Sequence, residues 1–315
     1  MNPNRRWYLK ISAEGNSSFE VIANTEDLCG ECPLWVDERQ ALYWTDIVKR
    51  NIYRIEAAGA PPTLVHQGFE VTGLLAHASG GFVVVNSQGL WHWDGGTCFK
   101  HAISAVDGHT CQLNDCVADR SGRVLSGSQF FNPETDYKRG NLFLFDLDGS
   151  GQILDEGFQL ANGLAWSLDG NTLYVTDSVA RRIYAYDYNQ GAARVRNRRV
   201  LIQVPMEDGI PDGLTVDSDG YLWSAHWYGG CVVRYDPDGK ENRRFHFPAK
   251  QVSSLAFGGP DLGDLYVTSA SKAESGPTPS AYDASGYMGG SVYRIRSEFN
   301  GRDENRAHIR HFKKV

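Results

Sequence analysis

The chain has 315 residues, of which 31 are basic and 38 acidic, and its formal net charge of −7 disfavours a polyanionic partner such as nucleic acid. Hydrophobic residues at 41% and charged residues at 22% match ordinary soluble proteins, and the length supports a large buried core in a single domain spanning 1–315. No apolar run approaches the roughly 18 residues of a membrane-spanning helix, and the opening MNPNRRWYLKISAEG lacks the apolar stretch of a secretion signal, so no membrane partner and a cytoplasmic location are expected.

Segment 8–25, YLKISAEGNSSFEVIANT, alternates in places as an outer strand does, and is expected to pair into the last repeat. Six related segments follow. The first runs from Glu31, ECPLWVDERQALYWTD to NIYRI, and the second from Thr72, TGLLAHASGGFVVVNSQ to LWHWD. The third starts at Asn114, NDCVADRSGRVLSGS to NLFLFD, and the fourth at Asn162, NGLAWSLDGNTLYVTDS to RIYAYD. After it, RVRNRR at Arg194 to Arg199 reads as a solvated loop. The fifth starts at Asp212, DGLTVDSDGYLWSAHW to VVRYD, and the sixth at Ser253, SSLAFGGPDLGDLYVTSA to SVYRI. The insertion SKAESGPTPSAYDASGYMGG after Ala270 reads as a long surface loop.

The starts are 41, 42, 48, 50 and 41 residues apart. Several short strands and turns repeated at this period predict an all-β, six-bladed β-propeller of four-stranded antiparallel blades around a central channel. The tetrapeptide YWTD, shared with the propeller blades of extracellular lipoprotein receptors, is then one version of a slot that elsewhere reads YVTD or YVTS. Cys29 and Cys32 form a CxxC pair, but Cys111 and Cys116 are separated by four residues, so the second half of a zinc site is missing and all six cysteines are expected to be reduced. Trp35, Trp44, Trp166 and Trp223 are expected in the core.

The innermost strand of each blade lines the channel, so equivalent residues converge on the axis. The column Glu31, Thr72, Asn114, Asn162, Asp212 and Ser253 is polar throughout, and its two carboxylates and two carboxamides suit a hard divalent cation. Turn capping is the alternative reading of such residues. No GxSxG, P-loop or HExxH motif is present. His226, in SAHWYGG one strand after Asp212, is a candidate pocket residue beside Trp227 and Tyr228, or a filler of the blade.

From about residue 25 to 296, the ordered pieces CGECPLW with LYWTD, QLNDCVAD, LANGLAWSLDGNTLYVTDS, IPDGLTVDSDGYLW and SSLAFGGPDLGDLYVTSA resemble the successive signatures of one family. It includes regucalcin (senescence marker protein), gluconolactonases and luciferin-regenerating enzymes. The resemblance implies a six-bladed propeller that hydrolyses sugar lactones with one divalent ion, be it Ca, Mg, Mn or Zn. It implies metal ligands at Glu31, Asn162 and Asp212, with Asp212 also the general base, and a substrate contact at Asn114. Gln112 stands where the family often has Arg, which alters the substrate wall, and Asn132 aligns with a family Glu. The implied reaction is hydrolysis of a sugar-derived lactone to an aldonic acid in carbohydrate catabolism, with the ion polarising the carbonyl and Asp212 taking a proton from water. A non-catalytic propeller that binds metal or a partner, and an esterase or phosphotriesterase on the same ion, are the alternatives.

Overall fold

The computed structural model describes residues 19–56, 60–128, 140–271 and 289–310; Asn132 and most of the insertion after Ala270 lie outside the described residues. Six four-stranded antiparallel sheets form the six blades of a β-propeller, and no α-helix occurs among the described residues. Blade 1 comprises Gly30–Val36, Ala41–Asp46, Asn51–Glu56 and Thr63–Gln67, from the channel outwards. In the same order the inner strands of blades 2 to 6 are Gly73–Ala76, Leu113–Ala118, Ala161–Trp166, Ile210–Val216 and Val252–Gly258. The fourth strand of blade 6 is Phe19–Asn24, which pairs antiparallel with Ser291–Arg296, so the N-terminal segment completes the last blade as its alternation implies.

Burial explains the different compositions of the strands. The second strands are covered on both faces and read as near-continuous apolar runs; Ala41–Asp46 and Phe82–Asn86 are buried at every residue. The outermost strands meet solvent on one side and carry the charges. Arg194–Arg199 belongs to such a strand, Arg194–Gln203 of blade 4, and not to a loop. Its Arg198 guanidinium lies 3.9 Å from the Tyr184 ring centroid and 4.5 Å from that of Phe158, so its stem and plane cover aromatic surface while Arg194 and Arg196 remain exposed.

The hydrophobic core is divided into six clusters, each at one seam between neighbouring blades. Trp44, Trp166 and Trp223 are fully buried in these seams, as is Trp93. Trp35 differs: it is only half-buried, it stacks on Tyr266 at 5.9 Å, and it faces a cavity at the far end of the channel.

Residues 300–310 form a strap across that end, a feature with no repeat or periodicity to announce it. The Asn300 carbonyl accepts from Ser218 of blade 5 (2.9 Å), and Gly301 donates to Leu262 of blade 6 (2.8 Å). Arg302 donates to the Trp166 carbonyl of blade 4 and Asn305 to that of Ala118 in blade 3, each at 3.0 Å. Arg306 pairs with Glu38 of blade 1, and Ala307 bridges to His77 of blade 2. The strap therefore touches every blade. Ala307 and Ile309 are buried in the seam between blades 2 and 3. Ile309→Ala should cost about 2 to 4 kcal/mol of unfolding free energy by opening a cavity in that seam, measured by denaturant titration; an unchanged midpoint would show that the strap adds nothing to the ring.

Candidate active site at the channel mouth

The inner strands carry a shared irregularity where the polar column sits. Pairing to the second strand slips between Glu31 and Leu34, Leu113 and Cys116, Ala161 and Leu164, Pro211 and Leu214, and Val252 and Leu255. In blade 2 the inner strand begins only after Thr72, at Gly73. A β-bulge leaves a residue unpaired and re-aims its side chain. Here it turns the column away from the blade ladder, towards the channel and the neighbouring blades.

Hydrogen bonds around the channel then sort the column into two groups. The buried Thr72 hydroxyl donates to Val85 and Leu113 carbonyls, each at 3.0 Å, and Ser253 donates to the Gly30 carbonyl at 2.5 Å. These two residues tie blade 2 to blade 3 and blade 6 to blade 1. Asn114 donates from its amide to the Ala161 carbonyl (3.3 Å), linking blades 3 and 4, and keeps its amide oxygen. Asn162 donates to Ser178 (3.2 Å) and to an Asp212 carboxylate oxygen, linking blades 4 and 5. Close approach of these strands requires glycine after the column: a Cβ on Gly163 would meet the Asp212 carbonyl oxygen at 2.3 Å, and one on Gly213 the Ser254 hydroxyl at 2.4 Å.

In blade 3 the residue after the column is not glycine but Asp115, and sequence reasoning missed it. Its carboxylate accepts from the Cys116 backbone N–H at 2.7 Å and from that of Leu164 across the seam. Burial pushes its pKa up to about 7, against those two bonds. Glu31, which accepts from the Cys32 N–H at 3.1 Å, is pushed to about 8 by burial and then by the Asp115 charge. Asp212 is raised well above the usual carboxylate range by burial, then by Glu31 and Asp115, with the Asn162 amide pulling the other way. The charges acting on these three carboxyls are their own; no basic side chain offsets them among the described residues. Cys32 and Ser254 also replace glycine in the slot after the column, so the available signal for Asp115 was a carboxylate in that slot.

This donor set fits a hard divalent cation: oxygen atoms only, an excess of negative charge, and no side-chain counter-ion. Among the described residues no group of three or more His, Cys, Asp and Glu is gathered as a metal cage, so the carboxamide oxygen of Asn162 is needed alongside Glu31 and Asp212. The CxxC pair forms no such group either, and all six cysteines are free.

Below the polar column lies an apolar ring of Leu34, Leu74, Cys116, Leu164, Leu214 and Leu255, followed by a cavity of about 480 Å³ floored by residues 302–306 of the strap. Asp115 also borders this cavity, and the apolar side chains around it contribute to the burial that raises the carboxyls.

A second polar column, on the second strands opposite the residue that precedes the first column, holds the segments that lead into the site. Asp46, the aspartate of YWTD, accepts from the N–H groups of Leu28 (2.9 Å) and Cys29 (3.2 Å), just ahead of Glu31. Asp177 accepts from Gln159 and Leu160, just ahead of Asn162. His226 occupies the same slot in blade 5. Its Nδ1 donates to the Asp208 carbonyl at 2.9 Å, which leaves Nε2 to accept from the Tyr235 hydroxyl at 3.4 Å. With no surface exposed and both nitrogens engaged inside the blade, His226 fastens the loop before Asp212 and presents nothing to the pocket. Arg244 fastens the same loop from outside, pairing with both Asp208 oxygens at 2.7 and 2.8 Å. Gln112 is half-buried where a short hairpin, Ala105–Val106 with His109–Thr110, leads into blade 3.

Residues 29–271 match the family described as the SMP-30/Gluconolactonase/LRE-like region. The chain belongs to that family. Pentonolactonase XacC of Haloferax volcanii is 33% identical over 289 residues, covering 92% of this chain and 98% of its own. Regucalcin of Xenopus laevis is 33% identical over 258 residues, covering 80% and 86% respectively. Among solved structures, a luciferin-regenerating enzyme superposes with a TM-score of 0.83 at 28% identity, covering 93% of this chain and all of its own. The polar column and Asp115 lie within the span matched to the SMP-30/gluconolactonase family.

Burial holds the His226 pKa down at about 4, below the ordinary value of 6.5. The unfolded chain binds the proton more readily, so this site's contribution is complete above pH 6.5, falls as the pH drops from 6.5 to 4, and is gone below 4. His226→Gln, which keeps a donor for the Asp208 carbonyl, should remove on the order of 2 to 3 kcal/mol from the acid loss of stability across that window. Parallel stability–pH curves for the two proteins would show that His226 is not buried neutral.

Proposed function

We propose that this chain hydrolyses a sugar-derived lactone to the open-chain aldonic acid, using one divalent ion held by Glu31, Asn162 and Asp212. The observation that carries the reading is the set of three raised carboxyls beside Asn162 on the inner strands, Asp115 raised by burial and Glu31 and Asp212 by burial and neighbouring carboxylates, without a basic partner among the described residues. The relationship to a pentonolactonase over nearly the whole of both chains supports the substrate class.

A divalent ion in this oxygen set supplies a Lewis acid for the lactone carbonyl. Asp212 takes the proton from the attacking water, and its buried carboxylate is a stronger base than an exposed aspartate. Water oxygen bonds to the carbonyl carbon, the ring C–O bond then breaks, and the ring oxygen leaves as a hydroxyl by taking the proton that Asp212 received. Asp115 adds negative charge next to Glu31 and is itself fixed by two backbone N–H groups, so it strengthens cation binding without swinging away. Asn114, tethered through its amide nitrogen, offers its oxygen to a substrate hydroxyl. Gln112 forms part of the same wall and recognises neutral hydroxyls, and Asn132 is assigned there by the family correspondence alone. His226 positions the Asp212 loop. Six free thiols fit a cytoplasmic setting.

The test is turnover of a panel of pentono- and hexonolactones with and without chelator. Chelation should abolish activity while circular dichroism stays that of an all-β protein, because the six seams do not depend on the ion. Asp212→Ala should lower kcat/KM by about a thousandfold or more. Near-normal turnover by this variant, or activity indifferent to chelator, would remove the proposed mechanism.

Gln112 tests the substrate wall separately. Gln112→Ala should cost about tenfold in kcat/KM through loss of a neutral hydrogen bond, and should reorder the lactones in the panel while metal affinity stays unchanged. A uniform loss across all lactones, or weakened metal binding, would make Gln112 a support of the site's architecture.

A further inference from the structure

At the far end of the propeller, outside the channel, a pocket of about 500 Å³ lies between blade 2 and the end of the strap. Its lining carries His77, His92, Lys100, His308 and Arg310 and contains no carboxylate. In a chain of net charge −7 this is a concentrated positive site.

Two of its histidines are already committed. His77 Nε2 donates to the Ile309 carbonyl at 2.9 Å, and its Nδ1 accepts from the Ser79 N–H at 3.2 Å, so His77 pins the strap. His92 packs edge-to-face on His77 at 5.3 Å and donates to the Gly80 carbonyl. Desolvation, with the like charges of His77 and Lys100, holds it below the ordinary histidine range. The acid nearest to it in effect, Asp94, already accepts from the Gly96 and Cys98 N–H groups at 2.8 and 3.2 Å. His308 is seated on Gly122, whose φ of +86° and missing Cβ make room for the imidazole; a Cβ there would lie 2.5 Å from the ring. Lys100 and Arg310 remain, one on blade 2 and one on the strap, and neither forms an ion pair among the described residues.

A metal ion does not suit this pocket. Both nitrogens of His77 are in use, two cationic side chains share the lining, and no His, Cys, Asp and Glu group among the described residues is arranged for a metal. We propose that the pocket binds a small oxyanion, a phosphate or a carboxylate, bridged between Lys100 and Arg310 with His308 beside them, and that the bound anion latches the strap to blade 2. Such a bridge joins two charges that otherwise repel, and phosphate and carboxylate oxygens match the guanidinium fork. The proposal does not depend on the lactonase reading.

The experiment is calorimetric titration and thermal melting of the full chain with inorganic phosphate and, separately, with sodium gluconate, ionic strength being matched with sodium chloride. At least one anion should bind saturably and raise Tm by about 1 to 2 °C at ten times its Kd. Binding of phosphate alone identifies a phosphate site, and binding of gluconate a carboxylate site. Arg310→Met and the double variant Lys100→Met/Arg310→Met should weaken that binding tenfold or more, with Tm in chloride unchanged. Arg310 is exposed and holds the Leu147 carbonyl through its backbone N–H, which the substitution retains. Gluconate bound at the channel mouth would survive these substitutions and so be told apart. Absence of saturable binding by either anion, or equal affinity in wild type and variants, would overturn the proposal.

Discussion

Three carboxyl groups, Glu31, Asp115 and Asp212, are held around one channel, where desolvation opposes ionisation of all three and neighbouring carboxylates further oppose that of Glu31 and Asp212. Left to themselves they would move apart or take up protons. The surrounding structure prevents the first outcome. Bulges take the column out of the blade ladders, and the ends of the second strands hold the segments on which Glu31 and Asn162 are carried. His226 and Arg244 do the same for the loop ahead of Asp212. The site is thus a charge distribution fixed by a rigid ring, and its oxygen donors fit the divalent cation proposed for Glu31, Asn162 and Asp212.

The rigidity comes from the way a propeller divides its labour. Each blade satisfies its backbone hydrogen bonds internally, so neighbouring blades are joined by apolar seams and by a few polar links around the axis. A seam of side chains resists shear because it is packed, and the six seams act together because the ring is closed by Phe19–Asn24 at blade 6. The apolar ring and the strap then close the channel below the carboxyls. Their effect on the chemistry is indirect: they surround the carboxyls with apolar side chains on one side, which strengthens the charge interactions among them.

The blade count and the position of the column were legible in the sequence because both recur. Each blade buries its own second strand, so the apolar runs repeat, and each bulge needs the same local chemistry, so the polar residues repeat with them. Single-blade features were harder to see. Thr72 and Ser253 look like Asn114 and Asn162 in the column, yet their partners are carbonyls of the next blade, which no local pattern reveals. Arg194–Arg199 looks like a loop because outer strands tolerate charge on their exposed face, and Arg198 stacks its plane on rings contributed by other strands. The His226 ring turns inwards because a carbonyl at Asp208 and a hydroxyl at Tyr235 await it there, 18 residues before it and 9 after. The strap has no periodicity because each of its residues answers a different blade.

Asymmetry within a sixfold repeat is what turns this scaffold towards chemistry. If every column residue were a threonine or serine like Thr72 and Ser253, the channel would be a closed belt of hydroxyl-to-carbonyl bonds with no charge and no free acceptor. Replacing that pattern in blades 1, 3, 4 and 5 leaves carboxylate and carboxamide oxygens whose backbone neighbours are already satisfied by other groups. The two blades that keep hydroxyls complete the belt between them and their neighbours, so the ring does not lose its links where the charges are introduced. Asp115 is the most pointed case, since it occupies a slot that Gly73, Gly163 and Gly213 fill in three other blades, where close approach of the next inner strand excludes a side chain. Between blades 3 and 4 that approach is used differently: the Leu164 N–H of the neighbouring strand becomes a ligand of the carboxylate. One seam thereby exchanges backbone proximity for a carboxyl group fixed next to Glu31, whose charge raises both Glu31 and Asp212.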